Sequence, residues 1–280
     1  MTPLTFVLVV FAIALVAGFL GSLLGLGGGI IVVPALTLLL GVDIHLAIGA
    51  SIISVIATSS GAAAAYVRER LANLRVAMFL ELGTTLGAIS GAYIAGLLHP
   101  RWLFVLFGAL LGYSAYAMLR KRATAGQTAI VPPSRLADAL QLHSSYYDEA
   151  LDRERAYAVT RPELGLALMY VAGAASGMLG IGSGALKVPA MDLAMHLPMK
   201  VSTATSNFMI GVTAAASAGL YFTRGQIDPF LAAPVALGVL VGATTGSRLL
   251  SRIEPKNLRS VFVVVLLVVS VQMLVRGLWR

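Results

Sequence analysis

Eight windows of this sequence are almost wholly apolar: residues 3–24, 46–67, 76–98, 102–119, 164–181, 201–222, 229–250 and 260–275. Crossing about 30 Å of hydrocarbon at ~1.5 Å per residue takes ~20 residues, so these windows have the length of membrane spans. A backbone inside lipid must satisfy its own hydrogen bonds, which makes the windows helices. None alternates apolar and polar residues at period two over the length of a barrel strand, and a β-barrel is excluded on that ground. Composition agrees: 58% of the 280 residues are hydrophobic and 11% charged, with a mean hydropathy of +0.89, far from the values of a soluble domain. The expected fold class is an all-α polytopic membrane protein.

Sliding the sequence by 155 positions brings its two halves into register, without an insertion, from Ala17 to Leu119. Gly18, Gly25, Gly27, Gly29 and Pro34 fall on Gly173, Gly180, Gly182, Gly184 and Pro189; Ser51 falls on Ser206 and Tyr66 on Tyr221. Gly83, Gly87, Gly91 and Pro100 meet Gly238, Gly242, Gly246 and Pro255. Each half therefore reads as an interrupted first helix followed by three full transmembrane helices. The expected organisation is a first repeat over 1–120, a polar linker over 121–161 and a second repeat over 162–280. The linker holds a Pro pair at 132–133, a short helix after Ser134 and the charged run YYDEALDRER; about forty residues cannot bury an independent core.

Lysine and arginine set orientation in such chains. The net charge of +8 resides in loops beside apolar spans, so it speaks for topology and not for nucleic acid. Arg120, Lys121 and Arg122 open the linker and place it in the cytoplasm. If the repeats are inverted, Arg68, Arg70, Arg75, Lys200, Arg248, Arg252, Lys256 and Arg259 lie inside against Arg101, Arg224, Arg276 and Arg280 outside; parallel repeats would split the same residues evenly. Charge favours inversion, which requires each interrupted segment to turn back. The first residues, MTPLTF, carry no basic n-region and no cleavage site follows, so the first span is expected to remain in the mature protein.

The interruptions are GLGGG at 25–29 and GIGSG at 180–184. Clustered glycines permit positive φ and uncover amide N–H groups at the start of a helix, where the macrodipole also favours an anion. Paired breaks at matching positions in two halves point to a transporter site near the bilayer midplane. The competing reading, close helix packing, suits the four-residue stripes Gly83/Gly87/Gly91 and Gly238/Gly242/Gly246 better. Lys187 follows the second break by one turn, where the first half has Val32; it is either a cation for an anionic substrate or a snorkelling or Asp192-paired side chain. The helices after the breaks are polar in their early turns, with Ser51, Ser54, Thr58 and Ser59 in one and Ser202, Thr203, Thr205, Ser206 and Asn207 in the other. Their hydroxyls and carboxamide can donate to oxyanions or simply bind neighbouring helices. Glu81 is expected near the interface, paired or hydrated, with proton coupling as a second role.

Enzyme readings fail. Cysteine is absent, so there is no disulfide, thiolate metal site or thiol chemistry. Ile181 breaks the pattern of an intramembrane serine nucleophile at Ser183; Ile30 and Ala185 occupy the last glycine position of a dinucleotide fingerprint; His45, His99, His143 and His196 have no metal-ligand spacing. No cofactor and no metal are expected.

GLGGGIIVVP at 25–34, SGMLGIGSGALKVPAM at 176–191 and ATSNFMIGVTAAASAG at 204–219, with the linker ending in YYDEALDRERAY, resemble the TauE/SafE sulfite exporter family, also called the sulfonate uptake permease family. The similarity covers nearly the whole chain; Ser183 departs from an all-glycine second loop. It implies a bacterial inner-membrane transporter for small sulfur-containing or carboxylated organic anions, working without ATP hydrolysis. The combined expectation is a secondary transporter of sulfite, sulfonates or related anions operating by alternating access. Its site is lined by Gly27, Gly28, Gly29, Ser51, Gly182, Ser183, Gly184, Lys187, Thr205, Ser206 and Asn207. Proton or membrane-potential coupling is compatible with the sequence, and the glycine stripes suit a homodimer in the lipid. The alternatives are a cation or metal transporter using Asp192, Glu81 and carbonyls freed at the same breaks, and a membrane assembly protein without solute flux.

Overall fold

The computed structural model describes residues 2–24, 27–68, 71–121, 134–148, 153–250 and 255–279. The readings made above on Gly25, the Pro pair at 132–133, Arg70, Arg122, Arg252 and Arg280 lie outside them. In chain order the elements are α1 (Pro3–Leu24), α2 (Gly29–Pro34, continuing as a π-helical turn over Ala35–Leu39), α3 (Ile44–Arg68), α4 (Leu74–Ala95) and α5 (Pro100–Lys121). The linker holds α6 (Arg135–Ala139) and strands β1 (Ser144–Asp148) and β2 (Arg153–Tyr157), and α7 (Pro162–Leu179), α8 (Gly184–Leu193), α9 (Met199–Thr223), α10 (Pro229–Leu250) and α11 (Pro255–Trp279) complete the chain. The expected pattern of one broken segment and three full helices is present in each half. Among the described residues, α1, α3, α4, α7 and α10 are long and apolar enough to cross a membrane; the polar early turns of α9 lower its hydropathy.

Helix boundaries follow local chemistry. Asn73 caps α4 by accepting from Val76 N at 3.1 Å, which satisfies an amide that a helix start leaves free. Pro162 opens α7, where its missing N–H costs nothing, and Gly180 closes that helix in the left-handed region at φ +65. The π-helical turn after Pro34 sits where proline removes a helical donor.

The glycine stripes hold helices together within the chain. Gly83, Gly87 and Gly91 of α4 lie against the backbone of Leu166, Tyr170 and Ala174 of α7, while Gly238, Gly242 and Gly246 of α10 lie against Phe11, Leu15 and Phe19 of α1. Both pairs run parallel and each joins one half to the other. The packing stripes expected to suit a homodimer are therefore occupied by the chain's own α1 and α7. The repeat-related helices pack antiparallel: Gly49 near the start of α3 meets Gln226 beyond the end of α9, and Ser59 meets Phe208 and Gly211. In the same way Gly108 of α5 faces Ser270 and Leu274 of α11, and Gly277 faces Phe104 and Val105.

After the second break the chain doubles back. Gly165 in the first turn of α7 lies against the Met195 side chain, and Thr160 N donates to Met195 O at 3.2 Å, so α8 returns to the level at which α7 began. One face of the molecule gathers the linker, the α3–α4 connection and the segment after α8. Asn73 Nδ2 donates to Leu142 O and Tyr157 Oη, each at 2.9 Å, and Arg75 to Gln141 O at 3.1 Å. The opposite face gathers the segment after α2, the α4–α5 and α9–α10 connections and the end of α11: Arg224 donates to Ala92 O, Arg101 to Gly277 O and Arg276 to Thr37 O. Exposed Met78, Leu82, Leu86, Ile89 and Tyr93 form a continuous apolar strip on the outer side of α4, as expected of a lipid-facing helix.

The linker is more structured than its charge suggests. Strands β1 and β2 pair antiparallel, with Tyr146 opposite Arg155 and Ser144 opposite Tyr157; the middle of the run YYDEALDRER, residues 149–152, lies outside the described residues. Burial pushes the Tyr157 phenol above its ordinary value of 10.0, against the opposing effect of hydrogen bonds from Asn73 and Ser144.

Candidate functional site

The two breaks meet in the interior. Gly27 and Gly182, related by the repeat, adopt φ +68 and +72, a region that glycine enters freely. A Cβ on Gly27 would lie 2.9 Å from Ile210 Cδ1 and 3.4 Å from Val55 Cγ2; on Gly182 it would lie 2.7 Å from Val55 Cγ1 and 3.3 Å from Ile210 Cβ. Both tips thus rest on one pair, Val55 of α3 and Ile210 of α9, which is itself repeat-related. The tips also touch each other: a Cβ on Gly29 would fall 2.5 Å from Ser51 Oγ, 2.7 Å from Gly180 O and 3.1 Å from Ile181 Cα.

Polar side chains tie each tip to the opposite half. Ser51 Oγ, fully buried, donates to Gly180 O at 2.6 Å. Asn207 Nδ2 donates to Ser22 O near the end of α1 at 2.8 Å. Within its own half, Gly28 N donates to Thr58 Oγ1 at 3.2 Å, and Tyr221 Oη donates to Gly177 O at 2.8 Å. These bonds satisfy backbone groups that broken helices would otherwise bury unpaired.

The two breaks differ in one residue's conformation. Gly28 has helical φ −57, whereas its counterpart Ser183 is left-handed at φ +56. A left-handed L-residue costs about 1–2 kcal/mol, and the Ser183 hydroxyl, donating to Gly182 O at 2.7 Å, supplies a local compensating bond. Gly184 is buried and begins α8.

Lys187 is fully buried and donates from Nζ to Thr213 Oγ1 of α9 at 2.5 Å. Thr213 Oγ1 in turn donates to Glu81 Oε1 of α4 at 2.7 Å, and Lys187 Nζ stands 4.0 Å from Glu81 Oε2. The snorkelling and Asp192-paired readings of Lys187 are thereby replaced: the ammonium points inward, to a carboxylate supplied by the first half of the chain. Glu81, expected near the interface, has a side chain only 15% exposed and is the counter-ion. A pair of this kind persists in a low-dielectric interior because each charge offsets the desolvation of the other.

Of the residues expected to line a site, Gly27, Gly28, Gly29, Ser51, Gly182, Ser183 and Gly184 come together at the tips, with Lys187 one turn away. Thr205 is elsewhere, accepting from Asn73 N at 3.0 Å on the linker face. Ser206 is buried on the same helix as Asn207. Sequence reading missed Val55, Ile210 and Thr213 as neighbours of the breaks; the repeat register was the available signal, since Val55 matches Ile210 and Thr58 matches Thr213. A separate cleft of about 370 Å³ on the face opposite the linker is lined by Asp43, His99, Arg101, Phe104 and Arg276, among others. Among the described residues no three His, Asp or Glu side chains converge as a metal site would require.

The profile described as sulfite exporter TauE/SafE matches residues 10–273. The chain belongs to the TauE/SafE family. It is 27% identical over 283 residues to the "Probable membrane transporter protein YunE" of Bacillus subtilis (strain 168), covering 99% of this chain and 100% of that protein. A "Probable membrane transporter protein" of Xylella fastidiosa (strain 9a5c) is 29% identical, over 94% of this chain and 91% of its own length. The more distant "Probable membrane transporter protein MJ0441" of Methanocaldococcus jannaschii is 23% identical, over 88% and 87%. No solved structure matches. This TauE/SafE protein is a multi-pass membrane transporter, not an enzyme.

Proposed function

We propose that this TauE/SafE protein is a secondary transporter that carries sulfite, sulfonates or related small anions across the bacterial inner membrane by alternating access. The observation that carries the reading is the contact of two helix breaks over Val55 and Ile210, with a fully buried lysine one turn beyond one of them. A lysine costs too much to bury in a membrane interior without a task, and intramembrane cations commonly meet a substrate or a coupling group. Backbone amides at the start of α8 add partial positive charge on the same side.

The halves are inverted in this proposal. The antiparallel packing of α3 with α9 and of α5 with α11, together with the return of α8, supports that arrangement. So does charge: Arg68, Arg70, Arg75, Lys200, Arg248, Arg252, Lys256 and Arg259 then share the linker's side, eight against four, which assigns the linker to the cytoplasm. Two hairpins facing each other across a pseudo-two-fold can exchange an inward-open for an outward-open arrangement by rocking about the Val55–Ile210 contact.

The test is thermal-shift screening of the purified protein against sulfite, sulfonates and carboxylates, followed by uptake into proteoliposomes. Saturable stabilisation by one or more of these anions, and flux of the same anion, are expected. Saturable stabilisation by metal ions with none by anions would replace this reading with cation transport; no flux of any solute would replace it with an assembly role.

A further inference from the structure

The Lys187–Thr213–Glu81 chain is asymmetric in an otherwise repeated molecule. Its 155-residue counterparts are Val32, Thr58 and Ala236: the hydroxyl recurs and both charges do not. In the first half Thr58 receives the amide of Gly28, whereas in the second the equivalent hydroxyl lies between an ammonium and a carboxylate. The ion pair is thus an addition to the repeated scaffold, and it links α4 of one half to α8 of the other.

The two carboxylate oxygens of Glu81 are unlike. Oε1 accepts from Thr213 at 2.7 Å and from Thr85 at 3.4 Å. Oε2 is buried, has no hydrogen-bond partner and faces Lys187 Nζ at 4.0 Å, beyond hydrogen-bond range. A proton placed on this oxygen removes the charge without disturbing the bond from Thr213. The pair as it stands is neutral overall, so an anion arriving beside Lys187 gains little until Glu81 loses its charge. Other ionisable groups on the surrounding helices are directed elsewhere. Arg75 donates to the linker, Tyr221 binds Gly177 O, and Tyr170 shares a hydrogen bond with Ser90. Glu163 is exposed in the first turn of α7, while Lys200 and Asp192 lie at the linker-side ends of α9 and α8.

We propose that Glu81 is the proton-carrying group of the transport cycle: ionised, it occupies Lys187 in place of the substrate, and protonated, it releases Lys187 to the anion, so that one proton moves with each negative charge. The balance is simple. One proton from solution adds to Glu81 Oε2, the local charge rises from zero to plus one, and a monoanion neutralises it; on release the anion departs, the proton leaves Oε2, and the pair re-forms. The inference rests on the anion-transporter reading above.

The experiment is calorimetric titration of the purified full-length protein with methanesulfonate, whose own charge is constant over the working pH range, and with sulfite corrected for its ionisation. Titrations from pH 5 to pH 9 in buffers of different ionisation enthalpy give both Kd and protons taken up. The native protein is expected to take up about one proton per anion and to bind about tenfold more weakly per unit rise in pH while Glu81 is ionised. Glu81→Gln, which keeps the shape and removes the charge, is expected to bind without the proton uptake of the native protein between pH 5 and pH 7, with a Kd that is flat over that interval. Native binding that is flat with pH and proton-free overturns the inference while leaving anion transport standing; no binding of either anion at any pH overturns the transport reading itself. If Glu81→Gln does not fold, infrared difference spectra of the native protein decide: anion binding is expected to raise the carbonyl stretch of a protonated carboxylic acid, and binding with proton uptake but without that band overturns the inference.

Discussion

Replacing Gly29 with alanine tests the meeting of the two breaks. A Cβ there would stand 2.5 Å from Ser51 Oγ, 2.7 Å from Gly180 O and 3.1 Å from Ile181 Cα. Two of these atoms are backbone of the opposite tip, so side-chain rotation alone cannot relieve the overlap. Overpacking of a close contact costs about 1–3 kcal/mol. If Ser51 swings aside, its bond to Gly180 O goes as well, for about 1 kcal/mol more. The expected loss is therefore about 2–4 kcal/mol, or roughly 5–15 °C in melting temperature for a chain of this size. The neighbouring Gly28→Ala is the control. There φ is −57, and the new Cβ would meet only side chains, Val239 at 3.2 Å and Thr58 at 3.5 Å. Its expected cost is under about 1 kcal/mol, partly offset by reduced freedom of the unfolded chain. Thermal unfolding of both variants in detergent, followed by tryptophan fluorescence or a dye-free scattering signal, gives the comparison. Equal melting temperatures for Gly29→Ala and Gly28→Ala would refute the tip-to-tip contact.

Two further substitutions follow from the same geometry. Ser51→Ala removes the donor to a buried carbonyl and should cost about 1–3 kcal/mol by thermal unfolding; because Ser51 is also the atom nearest the Gly29 Cβ, the double variant should be less damaging than the sum of the singles. Asn73→Ala removes the α4 cap and two bonds to the linker, and should accelerate limited proteolysis between residues 134 and 160 by at least about tenfold, with each ~1.4 kcal/mol of lost local stability worth one such factor; an unchanged cleavage rate would show that the linker is held by other contacts.

The breaks, the helix count and the repeat register were legible because they depend on local chemistry. Glycine clusters interrupt an apolar run wherever they occur, and a gapless repeat preserves their spacing. The packing role of the Gly83 and Gly238 stripes was legible for the same reason. What escaped was the identity of partners. Lys187 has Asp192 on its own helix, yet the fold brings α4 of the other half close enough for Glu81 to serve, and nothing local encodes that approach. Thr205 shares a helix with Asn207, but its position on the linker side commits it to Asn73 N. The linker strands were hidden by their charges: YYDEALDRER is a charged run in the sequence, and the pairing of β1 with β2 brings Tyr146 and Tyr157 together with ring centroids 6.3 Å apart. Ser183 reads in the sequence as a departure from an all-glycine second loop, and its left-handed φ gives the second break a conformation that its counterpart Gly28 does not share.

The chain contains no cysteine, so a single cysteine reports on one position only. Ile210→Cys places a thiol between the two tips, and the measurement is its modification by a negatively charged methanethiosulfonate in membrane vesicles of each orientation, with and without sulfite or methanesulfonate. A pair of breaks that opens alternately to the two sides predicts modification from either face and slowing by the transported anion. Modification from neither face, or at a rate no anion changes, would contradict it.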